Sequence, residues 1–153
     1  MIALPRATPE LIDGVRLIAD SFTRLLQRPL VDAVAEDVFA SLWLAPRVVV
    51  AHGTGDDPIF FYGNRLALEL FEMDFSTFTQ LPSRLSAEPL QREARARLLA
   101  QVSRQGYIDD YAGVRISSTG KRFAIKQAVV WNLADDSGRV RGQAATFDRW
   151  QML

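Results

Sequence analysis

Few side chains in this sequence could carry out acid–base chemistry. His52 is the only histidine, so a serine–histidine–aspartate arrangement would have to use it, and no serine lies in a nucleophile-elbow motif. A minimal acid–base site could use His52, Asp109 or Tyr111, but the sequence supplies no matched nucleophile, base and oxyanion donors. An enzyme therefore ranks last among the functions that we consider, and no catalytic residue is assigned.

Metal and thiol chemistry are poorly supported. The sequence has no cysteine, which excludes disulfides, thiolate metal sites, a thiol nucleophile and a flavin–cysteinyl adduct. Typical metal sites gather several His, Cys or carboxylate ligands at suitable spacing, and we find no such set. The segment GTGDD at 53–57 lacks the spacing of a P-loop or an EF-hand, so it predicts a turn.

A glutamine within an apolar strand pattern is a candidate ligand contact. Alternation along the strand predicted from 122 onward places Gln127 on one face with Phe123, Ile125, Val129 and Trp131. We expect this face to point inward. A buried amide needs hydrogen-bond partners, and these are backbone groups, water, another side chain or a polar ligand.

Four other polar residues have two interpretations each. Tyr111 and Arg115 share a strand face; facing inward they could bind an anionic or phenolic group, and facing outward they form a surface patch or dimer seam. Arg84, in LPSRLS, could contribute to a site or only satisfy loop carbonyls at a turn. His52 either makes a structural hydrogen bond at a strand end or lines a pocket as a neutral donor and acceptor.

These residues need a sheet to position them. The stretch 107–147 predicts three antiparallel strands separated by turns at Ser118–Gly120 and Asp135–Gly138. Residues from Arg47 onward alternate in the same way, and PIFFY continues as a second strand after the GTGDD turn. Asn64 can cap a following helix, and a longer helix ends at Gly106. Two strands, several helices and three strands indicate an α+β domain.

Two helices precede these strands. Thr8, Pro9 and Glu10 form a helix start, and the apolar residues after it recur at alternating spacings of four and three. This stripe either covers a face of the sheet or the next helix, or it pairs with a partner helix in a homodimer. A second helix is predicted from Leu30 to about Leu44. The apolar stripe of the first helix consists of Leu11, Val15, Ile18, Phe22 and Leu25.

Composition limits the function classes. A chain of 153 residues, 48% of them hydrophobic, is long enough for one domain with a substantial core. Its 18 basic residues balance 18 acidic ones, which argues against nucleic-acid binding. No apolar run approaches the ~20 residues of a membrane-spanning helix, and the N-terminus lacks the apolar centre of a signal peptide. We therefore expect a cytoplasmic protein.

Several segments resemble a known family. PIFFYGNRLALELF and GQAATFDRW, with Asp148 near the chain end, are similar to PAS-domain segments. More specifically, four segments resemble the MEKHLA domain, a PAS-like module found alone in bacterial proteins and at the C-terminus of plant homeodomain–leucine-zipper transcription factors. They are AHGTGDDPIFFYGNRLALELFEM, LPSRLSAEP, the stretch 106–133 and GQAATFDRW. The six-letter string that names the domain does not occur here, and neither do the homeodomain and zipper.

The resemblance implies a PAS-like five-stranded antiparallel sheet with helices on one face, preceded by two N-terminal helices. We expect residues 1–46 to form a helical extension and 47–153 the PAS-like domain. Such domains often enclose a small pocket used for sensing or for contacts between proteins, and their heme-binding members usually present histidine from a helix, whereas His52 follows a strand. We expect a small aromatic or anionic ligand and a homodimer, with a ligand-free interaction module as the alternative. The predicted ligand-binding residues are His52, Phe60, Tyr62, Arg84, Tyr111, Arg115, Gln127 and Trp131.

Overall fold

The computed structural model describes residues 2–31, 37–90 and 92–153, apart from the side chains of Arg92 and Arg95. Within these ranges the predicted order of helices and strands is confirmed. A 3-10 turn over Ser83–Ser86 lies between the fourth and fifth helices. The other elements, in chain order, are α1 (Pro9–Leu26), α2 (Val38–Trp43), β1 (Val48–His52), β2 (Phe60–Gly63), α3 (Arg65–Phe71), α4 (Phe75–Phe78), α5 (Arg92–Gln105), β3 (Tyr107–Ile116), β4 (Arg122–Ala134), β5 (Val140–Phe147) and β6 (Trp150–Met152).

The strands form one antiparallel sheet in the order β2-β1-β5-β4-β3. The short strand β6 is a sixth member that the sequence did not predict. It lies beside β4 beyond the end of β5, with Trp150 opposite Ile125 and Met152 opposite Phe123. The antiparallel α+β fold is confirmed, and the sheet has one strand more than expected.

Helices cover both faces of this sheet. We call the face that meets α3, α4 and α5 the inner face; Val50, Phe123 and Val130 belong to its core. We call the opposite face, which meets α1, the outer face; Val49 and Trp131 belong to its core. One side of the sheet therefore packs against the PAS-like helices and the other against the N-terminal helix.

The N-terminal helix forms as its sequence predicts. Thr8 caps α1 by accepting a hydrogen bond from the backbone N–H of Leu11 at 3.2 Å. Val15, Ile18 and Phe22 are fully buried against the outer face of the same chain. The stripe thus covers a sheet face. The second helix is shorter than predicted, beginning at Val38, and the part predicted over 32–36 lies outside the described residues.

One buried asparagine connects the segment before the sheet to β1 and α3. The Oδ1 atom of Asn64 accepts from the backbone N–H groups of Val49 and Ala67, both at 3.1 Å. Its Nδ2 group donates to the carbonyls of Leu42 at 3.1 Å and Arg47 at 2.8 Å. Both ends of the amide are therefore satisfied, as a fully buried side chain requires.

A bulge in β4 contradicts the predicted orientation of Gln127. This residue has a left-handed φ of 54° and is exposed. Between the pairs Gly113↔Ile125 and Tyr111↔Ala128, β4 contains one residue more than β3. The extra residue reverses the facing of all later side chains, so Ile125 and Ala128 lie on the inner face while Trp131 lies on the outer face.

Candidate functional site

A cleft of about 90 Å³ opens on the inner face of the sheet. Strands β1, β2, β3, β4 and β5 form its floor, and the 3-10 turn and α5 border it. Four of the predicted ligand-binding residues, His52, Phe60, Tyr111 and Arg115, line this cleft. The full lining is Val50, Ala51, His52, Phe60, Ser83, Leu98, Tyr111, Arg115, Val130, Gln143, Ala144 and Ala145.

Arg115 brings a positive charge into the cleft. Its half-buried side chain donates from Nη1 to Ser86 Oγ at 3.4 Å, and Ser86 in turn donates to the carbonyl of Ser83 at 2.7 Å. Among the described residues Arg115 forms no ion pair with a carboxylate. Because that one bond uses a single donor, the other guanidinium N–H groups are available to an acceptor in the cleft.

The hairpin that carries Arg115 is fixed at its turn. The carboxylate of Glu72, just after α3, accepts from Ser117 Oγ at 2.6 Å, from Thr119 Oγ1 and from Lys121 Nζ at 3.1 Å. These bonds, led by that of Ser117, lower the pKa of Glu72 to about 2. The ionised carboxylate therefore holds the end of β3 against α3.

His52 supplies a neutral acceptor. Its Nδ1 lies 2.8 Å from the carbonyl oxygen of Gly53, which can only accept, so the ring proton resides on Nδ1 and Nε2 is left with a lone pair. Burial lowers the pKa of His52 from its ordinary value of 6.5, and the charge of Arg115 lowers it further despite the opposing bond to Gly53. The imidazole is thus uncharged at neutral pH.

A glycine lets the neighbouring strand approach His52 closely. A Cβ atom at Gly142 would come within 2.2 Å of the His52 carbonyl oxygen, a distance that no side chain could accept. Gln143, the next residue, is paired with His52 across β1 and β5 and lines the cleft. Its amide lies 3.4 Å from Asn132 Oδ1. The small residues of β5 therefore allow a close approach that brings a polar side chain into the site.

Tyr111 faces inward, which decides between its two predicted orientations. A bulge between Ile108 and Tyr111 places both residues in the inner core. The Tyr111 hydroxyl extends over Gly113, where a Cβ would come within 2.8 Å of it. This hydroxyl has no hydrogen-bond partner among the described residues. Tyr111 and Arg115 therefore present donors to the same cleft.

Three predicted residues contribute nothing to the cleft lining for clear physical reasons. Arg84 is exposed and makes two hydrogen bonds to Asp57, at 2.9 and 3.4 Å, so it fixes a surface loop. Tyr62 lies on the outer face because it pairs with Ala51 beside an irregularity in β1 and β2. Trp131 also lies there, since it follows the β4 bulge, and packs edge-on to Phe22 with ring centroids 5.0 Å apart. The exposed Gln127 is the fourth predicted residue outside the lining.

The outer face also contains buried polar atoms, and they do not line the inner cleft. Tyr62 Oη and Trp131 Nε1 are inaccessible and have no hydrogen-bond partner among the described residues. Burial raises the pKa of the Tyr62 hydroxyl. Ala51 and Ala144 lie between these two aromatic residues in a single cross-strand row. The two groups are thus isolated donors within an apolar layer.

Sequence reasoning missed eight of the twelve lining residues, among them Ser83, Leu98 and Gln143. Alternation along β5 could have placed Gln143 on the same face as Ala145, but its pairing with His52 joins residues far apart in sequence. Across the described ranges, no group of three His, Asp or Glu side chains is arranged to hold a metal ion. None of the described helices is sufficiently long and apolar to cross a membrane.

Comparison with known sequences gives consistent matches. A family model described as the MEKHLA domain matches residues 12–152. Homeobox-leucine zipper protein ATHB-9 of Arabidopsis thaliana is 26% identical over 100 residues, or 65% of this chain. Homeobox-leucine zipper protein HOX10 of Oryza sativa subsp. indica is 24% identical over 141 residues, or 92% of this chain. The matches cover 12% and 16% of those plant proteins, so this chain spans only a small part of their length.

Solved structures share the fold at low sequence identity. The PAS domain of a protein from Colwellia psychrerythraea matches with a TM-score of 0.62 and 11% identity, over 79% of this chain and 98% of that one. A light-oxygen-voltage domain studied with a flavin analogue matches with a TM-score of 0.57 and 14% identity, over 76% and 84%. At these identities the likeness establishes the fold alone.

Proposed function

Because this chain belongs to the MEKHLA domain family, we propose that it is a PAS-like sensory domain that binds a small polar molecule in its inner cleft. The observation that carries this proposal is the half-buried Arg115, which borders the cleft without a described carboxylate partner. A partly buried charge that lacks a counter-charge favours an external anion or strong acceptor. His52 and Tyr111 add an acceptor and a donor at the same place.

The size of the cleft limits the ligand. A volume of about 90 Å³ is close to the share of about three water molecules in the liquid. This volume favours a ligand smaller than the partly aromatic molecule that the sequence suggested and smaller than the three-ring system of a flavin. The chain also lacks the cysteine that a flavin–cysteinyl adduct requires. The proposed ligand is therefore a compact polar molecule.

Two strands connect the cleft to the N-terminal helix. Val50 and Ala145 belong to the inner core, whereas Ala51 and Ala144 both border the cleft and pack in the core beneath α1. A ligand that shifts β1 or β5 therefore changes the surface on which α1 packs. Such a shift requires the ligand to bind the two arrangements with different affinity.

The conformational change would be transmitted through α1 to a second copy of this chain or to another protein. Since the apolar stripe of α1 is buried in its own chain, a partner would contact the outward side, which carries the exposed residues Asp13, Arg16 and Asp20. Sedimentation velocity with and without bound ligand tests this step, and an unchanged sedimentation coefficient would remove the proposed homodimer readout. A cytoplasmic location stays a prediction.

The proposed function is tested by filling the cleft. Ala145→Leu adds a side chain to the cleft wall, and Ala112→Leu makes the same change at an exposed position of β3. We expect native mass spectrometry or a thermal-shift screen of small polar compounds to detect a ligand for the wild type and for Ala112→Leu, but not for Ala145→Leu. Absence of any retained or stabilising compound with the wild-type protein would refute the proposal.

A ligand-free interaction module is the second candidate function. The rest of the inner face is filled by aromatic packing: the rings of Phe60 and Phe78 stack with centroids 4.3 Å apart, and Phe71 meets Phe123 at 5.3 Å. This dense packing favours a domain whose surfaces alone make contacts. In that case Ala145→Leu would leave partner binding unchanged and no compound would stabilise the wild type.

A further inference from the structure

We infer that the inner cleft binds a short hydroxy-carboxylate, with the carboxylate on Arg115 and the hydroxyl donating to His52. This inference rests on the proposed function and specifies the ligand class of the same cleft. It follows from three properties of the lining residues: their net charge, the shape of their donors, and the acceptor that His52 leaves open.

The charge of the cleft matches a single negative charge. The titratable side chains that line it are His52, Tyr111 and Arg115. His52 is neutral at neutral pH because burial and the adjacent guanidinium lower its pKa, which leaves one positive charge. A monocarboxylate balances this charge, whereas a doubly charged phosphate would keep an unpaired negative charge in a half-buried site.

The shape of the donors also favours a carboxylate. A guanidinium group presents parallel N–H groups that fit the two oxygens of a carboxylate. Nη1 of Arg115 donates to Ser86 Oγ, 3.4 Å away, so the guanidinium group is positioned before a ligand binds. The Tyr111 hydroxyl lies on the same strand face and can donate to either oxygen.

The open acceptor requires a second group on the ligand. Because Nδ1 of His52 donates to the Gly53 carbonyl, only Nε2 is left to interact, and a neutral ring accepts there. A plain alkyl carboxylate would leave this acceptor unpaired, which costs free energy in a partly buried site. A hydroxyl on the adjacent carbon pairs with it and still fits the volume of about 90 Å³.

Three matched probes test the inference: glycolate, acetate and the neutral analogue glycolamide. Heteronuclear NMR titrations of the full chain should show glycolate binding about fivefold more tightly than acetate, the value of one neutral hydrogen bond. Glycolamide should not bind at the same concentrations. Equal binding of glycolamide and glycolate would overturn the carboxylate assignment, and equal binding of glycolate and acetate would overturn the hydroxyl assignment.

Substitutions of the lining residues test where glycolate binds. Arg115→Gln should weaken glycolate binding at least about tenfold, since it removes a charge-assisted contact. The control Arg139→Gln makes the same change at an exposed position of the turn between β4 and β5 and should bind as the wild type does. His52→Leu should abolish the preference for glycolate over acetate without abolishing binding of either. An Arg115→Gln variant that titrates like the wild type would overturn the proposed site.

Different results would overturn the hydroxy-carboxylate ligand class and the ligand-binding function of the cleft. If screening finds a ligand whose stabilisation is lost in Ala145→Leu, but none of the three probes binds, the hydroxy-carboxylate class is wrong and the ligand-binding function stands. If glycolate binds Ala145→Leu as tightly as it binds the wild type, the cleft is not the site, and both proposals fail.

Discussion

The two faces of the sheet bury polar atoms in opposite ways. On the inner face, His52, Tyr111 and Arg115 direct polar groups into a space that a small molecule can enter. On the outer face, the Tyr62 hydroxyl and the Trp131 indole N–H lie among packed apolar side chains beneath α1. An unpaired polar atom is therefore not enough to identify a site. On the inner face, Arg115 adds a positive charge without a described carboxylate partner beside the cleft.

The largest expected difference between the faces is in stability. Trp131 is fully buried and contacts Phe22, so Trp131→Ala should cost about 3–5 kcal/mol of unfolding free energy. Tyr111→Ala should cost less, because the cleft already deprives that side chain of contacts on one side. Urea unfolding measures both values. A larger loss for Tyr111→Ala would show that the inner face is packed as densely as the outer.

A smaller effect separates the two tyrosine hydroxyls. Tyr62→Phe removes a buried hydroxyl with no described partner, so it should stabilise the protein by about 1 kcal/mol. Tyr111→Phe should leave the unfolding free energy nearly unchanged and weaken glycolate binding. Chemical denaturation and ligand titration of both variants check this contrast. A marked destabilisation by Tyr62→Phe would mean that its hydroxyl is satisfied, and the outer face would not differ from the inner face in this respect.

The smallest expected effect is a pH dependence of the unfolding free energy that comes from His52 on the inner face. Burial lowers the pKa of His52 below 6.5 in the folded state, so the unfolded chain binds more protons as the pH falls through this range. The contribution of His52 to stability is therefore fully present above the unfolded pKa and decreases as the pH falls toward the folded pKa.

Denaturation at a series of pH values tests this sign. The wild type and the Arg139→Gln control should lose stability on acidification below about pH 6.5, and His52→Leu should lose less over the same interval. If His52→Leu follows the wild-type curve, the imidazole is as accessible to protons in the folded protein as in the unfolded one.

Part of the fold and of the site can be predicted from the sequence because it depends on residues that are close together in the chain. Thr8 and Pro9 start α1 as their types predict, and the shared strand face of Tyr111 and Arg115 follows from their even spacing. The family assignment also follows from ordered segments. These features depend on residues close together in the chain.

The rest depends on single-residue irregularities and on distant pairing. A glutamine is not a residue type that predicts a left-handed φ, so the bulge at Gln127 could not be anticipated, and it moved Trp131 to the opposite face. An irregularity beside Tyr62 had the same effect on β2. Gln143 reached the cleft only through its pairing with His52, which no local pattern indicates.

The most direct test of the central claim, that the inner cleft is the ligand site, is a glycolate titration of the two leucine variants. Ala145→Leu fills the cleft from within, and Ala112→Leu adds the same side chain at an exposed position. We expect glycolate to bind Ala112→Leu with wild-type affinity and to show no measurable binding to Ala145→Leu. Equal affinity for the two variants would contradict the claim.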